Sequence, residues 1–121
     1  MEMVPLQWSR LTPLSEEEVG KVSTSAGVYR LSAKSSDGKF YVFFVGKSDD
    51  LKSALNAHLS DGENNLCIKQ RLLRGDVSFR YAPVAREDVR SAAERQMYKK
   101  YVPECNNLEP AGSTDIEVTL N

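Results

Sequence analysis

Phe40-Tyr41-Val42-Phe43-Phe44-Val45-Gly46-Lys47-Ser48-Asp49-Asp50-Leu51 decides how this chain is read. Its first six residues form a near-continuous apolar run, as expected of a strand in the middle of a sheet. Gly46 ends that run. Ser48 stands where a helix N-cap belongs, with Asp49 and Asp50 placed to favour the helix dipole. Beyond it Leu51, Ala54, Leu55 and His58 recur at i, i+3, i+4 and i+7, so they share one helix face. Strict alternation along the strand predicts that Tyr41 and Phe43 point away from Phe44.

Upstream, 26–33 reads as a second strand, with Tyr29, Leu31 and Ala33 on one face and Val28 and Arg30 on the other. Ser35-Ser36-Asp37-Gly38 joins the two strands, Asp-Gly being a strong hairpin signal. Trp8, Leu11 and Leu14 give the N-terminal arm an apolar side, and Thr12 or Ser15 can cap a short helix through Glu16, Glu17 and Glu18. Downstream, Asn64 or Asn65 opens a helix that Gly75 stops. Residues 76–84 alternate as a strand, with Pro83 suited to its end or an edge. Residues 86–101 form the longest helix, ended by Pro103, and 116–120 suit a short extra strand. The reading is α+β: a small three-stranded antiparallel sheet flanked by helices, in the order β-β-α-α-β-α. An arm (1–25), a central domain (26–107) and a tail (108–121) make up one compact unit.

At 121 residues with 40% hydrophobic and 27% charged residues, the composition is that of a soluble globular domain able to bury a core. No run of about 18 apolar residues is present, which excludes a transmembrane helix and membrane partners. The N-terminus has no basic, then apolar, signal pattern, so a cytoplasmic protein is expected. Cys67 and Cys105 lack zinc-site spacing and are expected to be reduced and buried. Net charge is only −1, but 66–101 carry 9 Lys and Arg against 4 Asp and Glu. A basic third of the chain suits a phosphate-facing surface. Lys69, Arg71, Arg74, Arg80, Arg90 and Arg95 are its candidate contacts to nucleic acid, and solvated helix faces would give the same bias.

Gly27-Val28-Tyr29, then Phe44-Val45-Gly46-Lys47, then Ala54 and His58 on one helix, Glu94 on a late helix and Asn106 twelve residues on, form a series in order. That series resembles the GIY-YIG nuclease pattern over 26–107. The resemblance implies a phosphodiesterase fold acting on DNA with one divalent ion, Mg²⁺ or Mn²⁺, and no small-molecule cofactor. It places Tyr29, Lys47 and His58 at catalytic positions, Glu94 at the metal position, and Gly27, Gly46 and Asn106 at supporting ones. Phe44 falls where the family has tyrosine and Ala54 where it has arginine.

Phosphodiester hydrolysis needs an activated water and positive charge on the phosphate oxygens. One carboxylate with waters suffices for Mg²⁺, so Glu94 can serve; paired with Arg90 it would instead be an ordinary surface ion pair. Tyr29 reads as water-positioning or as a strand aromatic, and His58 as a general base or a satisfied core residue. Phe44 lacks the hydroxyl for proton transfer, typically worth about 10²- to 10⁴-fold. Ala54 lacks the guanidinium, which by analogy with arginine fingers is worth about 10³- to 10⁵-fold. Three readings follow: a degenerate nuclease that binds nucleic acid with weak or no cleavage, an active endonuclease with His58 as base, or a protein-interaction module.

Overall fold

The computed structural model describes all 121 residues. In chain order the elements are β1 (Glu2–Val4), β2 (Thr12–Pro13), α1 (Glu16–Gly20), β3 (Gly27–Lys34), β4 (Phe40–Ser48), α2 (Leu51–Leu59), α3 (Leu66–Arg74), β5 (Val77–Pro83), α4 (Glu87–Tyr101) and β6 (Ile116–Val118). The helix starts follow side-chain chemistry. Ser15, Asp50 and Asn65 each accept a backbone N–H three residues on, satisfying one of the donors a helix N-terminus leaves free. Asp50, not Ser48, is the cap of α2; the Ser48 hydroxyl instead bonds the Asp50 backbone and shapes the turn before it.

The main sheet has four antiparallel strands in the order β2-β5-β3-β4, which corrects the expected three. The added strand, β2, is two residues of the arm paired to Phe79 and Ser78. Residues so few carry no alternation from which a strand can be read. A separate parallel pair, β1 with β6, zips the arm to the tail. Gln96 of α4 locks that pair down, donating to the Ile116 carbonyl and accepting from the Val118 N–H.

The β3–β4 ladder slips between Leu31, opposite Phe44, and Ser32, opposite Val42. Phe43 is therefore the extra residue of a β-bulge, and alternation breaks there. Phe43 is buried and Phe44 half-buried against the same core, and Tyr41 lies on that side too. The expectation that Phe43 and Tyr41 face away from Phe44 is thus overturned. Tyr41 still cannot replace a hydroxyl at position 44, because its own donates to Asp37 in the hairpin turn.

Each face of the sheet carries a core. Tyr29, Leu31, Phe43 and Phe79 pack against Val19, Leu51, Leu55 and Ile68 of the three smaller helices. Val28, Val45 and Ala82 pack against Val89, Ala92, Ala93 and Met97 of α4, with Ile116 and Val118 beyond. Each fully buried Leu or Phe stabilises by about 1.5–3 kcal/mol. No helix is long and apolar enough to cross a membrane.

Cys67 of α3 and Cys105 are joined in a disulfide, which corrects the expectation of two reduced thiols. Spacing hid it, because 38 residues separate the pair and only folding brings α3 beside the loop after α4.

Candidate active site

Tyr29 is the third residue of β3, directly opposite Gly46 in the ladder. Its ring lies over that glycine so closely that a Cβ at position 46 would come within 2.7 Å of the phenol oxygen. Gly27 is equally constrained, a Cβ there meeting the Ala82 carbonyl oxygen at 2.3 Å. Both motif glycines are therefore present for close approach of other groups, not for an unusual backbone angle.

His58 lies in the last turn of α2, on the face shared with Leu51 and Leu55, and is buried. Its Nε2 is 2.7 Å from the Tyr29 hydroxyl, and its Nδ1 is 2.5 Å from Oε2 of Glu63. The other Glu63 oxygen accepts the N–H of Asn65. With Glu63 accepting from Nδ1–H, Nε2 of a neutral imidazole is the acceptor and Tyr29 donates to it. Burial pushes the Tyr29 phenol well above its usual range, and the carboxylates of Glu94 and Glu63 act the same way. The resting group is the neutral phenol.

Glu63 was not legible as a site residue. It sits in the loop after α2, five residues beyond His58, with no motif around it. A carboxylate just past a helix with histidine in its last turn is the only local hint.

Phe44 and Ala54 border this network. The Phe44 ring meets His58 edge-on at 5.2 Å between centroids and lies 6.1 Å from the Tyr29 ring. Its phenyl offers no hydrogen bond to either. Ala54 packs at the edge of the same core as Tyr29 and Leu51.

Glu94 is half-buried on α4 and forms no ion pair. The expected alternative, a pair with Arg90, is excluded. Arg90 is buried and donates to the Val84 and Ala85 carbonyls, with its other nitrogen 3.4 Å from Asp49. Burial raises the Glu94 carboxyl above its ordinary value, with Lys47 opposing. Lys47 itself reaches across to the Ser91 hydroxyl, one turn before Glu94. A half-buried carboxylate without a partner fits a divalent ion that keeps much of its water.

Asn106 is a clamp on the sheet. Its side-chain oxygen accepts the Val45 N–H and its amide donates to the Val45 carbonyl, both at 2.9 Å. The Cys105 N–H adds a bond to the Phe43 carbonyl. The loop after α4 therefore covers the free edge of β4 at the second motif, as edge strands require. The disulfide holds that loop, and Asn65 donates to the Cys105 carbonyl.

The basic candidates are scattered. Lys69 and Arg74 are exposed on α3, Arg71 is paired with Glu104, and Arg95 is half-exposed on α4. Arg80 lies on the opposite face of the sheet, donating to the Ser9 carbonyl. Arg90 is inside the protein. Folding thus makes no single patch of the six. Two pairs do form: Tyr29 with His58, and Lys47 with Ser91, one turn before Glu94 on α4.

Neither a family sequence model nor a curated protein matches the chain. Solved structures do. The N-terminal GIY-YIG endonuclease domain of UvrC from Thermotoga maritima, bound to its catalytic magnesium, superposes with a TM-score of 0.60 at 20% identity, over 74% of this chain and 92% of that one. A tyrosine-to-phenylalanine variant of the same domain, bound to its divalent cation, gives 0.60 at 21% over 74% and 92%. An asparagine-to-alanine variant gives 0.60 at 19% over 76% and 93%. By this likeness, and by the order of its motifs, the chain has the GIY-YIG nuclease fold.

Proposed function

We propose that this domain binds nucleic acid through Tyr29, Lys47, His58 and Glu94, and cleaves it weakly or not at all. The observation that carries this reading is Phe44, whose phenyl ring packs against His58 and Tyr29 where the family has a hydroxyl. Ala54 compounds it by presenting no cation to a phosphate. Glu94 would hold Mg²⁺ or Mn²⁺, which when bound supplies positive charge to the phosphate oxygens. Lys47 is the cation this chain keeps near that carboxylate. DNA is the expected ligand, by resemblance. Incubating the protein with nicked, branched and single-stranded DNA in Mg²⁺ or Mn²⁺ tests the reading. Binding that weakens with salt and little or no cleavage is expected. Efficient cleavage that disappears in Glu94→Ala would overturn it.

One observation favours the second reading, an active nuclease. The hydrogen bonds from Glu63 through His58 to Tyr29 form a relay that does not need Phe44. In it Tyr29 takes a proton from water while passing its own to His58, and Glu63 stabilises the imidazolium formed. On that reading Glu63→Gln lowers cleavage as His58→Ala does.

A further inference from the structure

The sheet face opposite Tyr29 carries a group of charges that the nuclease-like site does not use. Arg30 of β3 and Arg80 of β5 stand directly opposite each other in the ladder. Like charges placed so destabilise a sheet, and no carboxylate pairs with either. Arg30 is only 5% exposed, and burial with the neighbouring Arg80 holds its guanidinium below its usual range. Each arginine makes one hydrogen bond within the protein, Arg30 to the Leu120 carbonyl and Arg80 to the Ser9 carbonyl. Their remaining N–H donors have no protein acceptor.

The two guanidiniums sit among aromatic rings. Arg30 lies 4.4 Å from the Trp8 ring and 5.1 Å from that of Tyr101. Beside them α4 does not cover the sheet, and a groove of about 330 Å³ opens there. Its floor includes Ser32, and its walls include Phe40, Leu11 and Tyr101. Phe40 and Leu11 are large apolar residues left 38% and 42% exposed. Unneutralised arginines at one end with aromatic and aliphatic walls around them complement an anion attached to a flat apolar body.

The geometry points to a second ligand site in this groove, taking a nucleotide unit with its phosphate on Arg30 and Arg80 and its base against Phe40, Leu11 and Tyr101. The volume matches one such unit, at the small end of the about 300–1,000 Å³ of ligand pockets. The unit comes either as a free nucleoside monophosphate or as one residue of a single strand, and the two share this chemistry. The site is independent of the reading above, since none of its residues belongs to the Tyr29–His58 face.

Trp8 is the only tryptophan and touches Arg30, so its fluorescence reports on the groove. The intact protein is titrated with adenosine 5′-monophosphate, adenosine, inorganic phosphate and a short oligo(dT). A saturable change with the monophosphate is expected, at least about tenfold tighter than with adenosine or phosphate alone. Arg80→Gln, on a half-exposed side chain, should weaken it by about tenfold or more, and Glu94→Ala should leave it unchanged. Tighter binding of oligo(dT) than of the monophosphate assigns the unit to a strand, and the reverse order assigns it to a free nucleotide. No saturable change with any nucleotide, equal binding of phosphate alone, or unaltered binding in Arg80→Gln overturns the proposal. A monophosphate response of Trp8 that disappears in Glu94→Ala would place the nucleotide outside the groove and would also overturn it.

Discussion

Strand β3 has two sides, and they handle buried polar groups in opposite ways. Toward α2, Tyr29 is buried with its hydroxyl on His58, and His58 is satisfied in turn by Glu63. Toward α4, the neighbouring Arg30 is buried as deeply but keeps most of its donors unused. No buried side-chain nitrogen or oxygen on either side is cut off from both a partner and the surface. One side closes its polar groups into a network, and the other leaves them open to a groove. Function is therefore to be sought on both sides, by different tests.

The sharpest test of the networked side restores what it lacks. Phe44→Tyr with Ala54→Arg is expected to raise metal-dependent DNA cleavage by about 10²- to 10⁴-fold or more, the two effects not being additive. Gel assays of single-turnover cleavage measure it, and a double variant as inert as the parent would mean that the scaffold lacks more than two groups. Next in size is the disulfide that holds the loop against β4. Closing a loop across 38 residues should stabilise the fold by about 4 kcal/mol. Urea unfolding of Cys67→Ser with Cys105→Ser should show that loss, with the Asn106 contacts to Val45 among the first to open in hydrogen exchange.

A smaller effect is expected from Gly46→Ala, which forces a methyl into the Tyr29 ring. About 1–3 kcal/mol of stability should go, together with the Tyr29–His58 bond, visible in the histidine NMR signals. Gly20→Ala meets nothing within 4 Å and serves as the control. Smallest of all is the pH effect of Glu94. Burial raises its pKa in the folded chain, so the folded state binds that proton more tightly than the unfolded one. Ionised Glu94 thus subtracts stability above its folded pKa, and the penalty vanishes as pH falls below the ordinary carboxylate value near 4.5. Glu94→Gln should raise the melting temperature slightly at neutral pH and not in acid. Added Mg²⁺ should stabilise the parent and leave the variant unmoved.

Local signals accounted for much of this fold. The hairpin, the helices at Ser15 and Asn65, and the alternating strand before the long helix follow from caps, turns and periodicity, which act over a few residues. The same holds for Tyr29 and His58, each on a regular element whose face could be counted. Where a single residue broke the count, as Phe43 did in its bulge, the faces assigned to Tyr41 and Phe43 were wrong.

The amino-acid sequence by itself determined the local elements: the hairpin, the longer helices, the positions of the two motif glycines, and the absence of a hydroxyl at position 44 and a guanidinium at 54. These are matters of residue type and short-range period. Only the tertiary structure decided who meets whom. It joined Cys67 to Cys105, gave His58 its carboxylate in Glu63, and turned Arg90 inward to its carbonyls. It also set Arg30 against Arg80 behind the sheet. Such contacts join residues through burial and strand register, and neither propensity nor spacing along the chain encodes them.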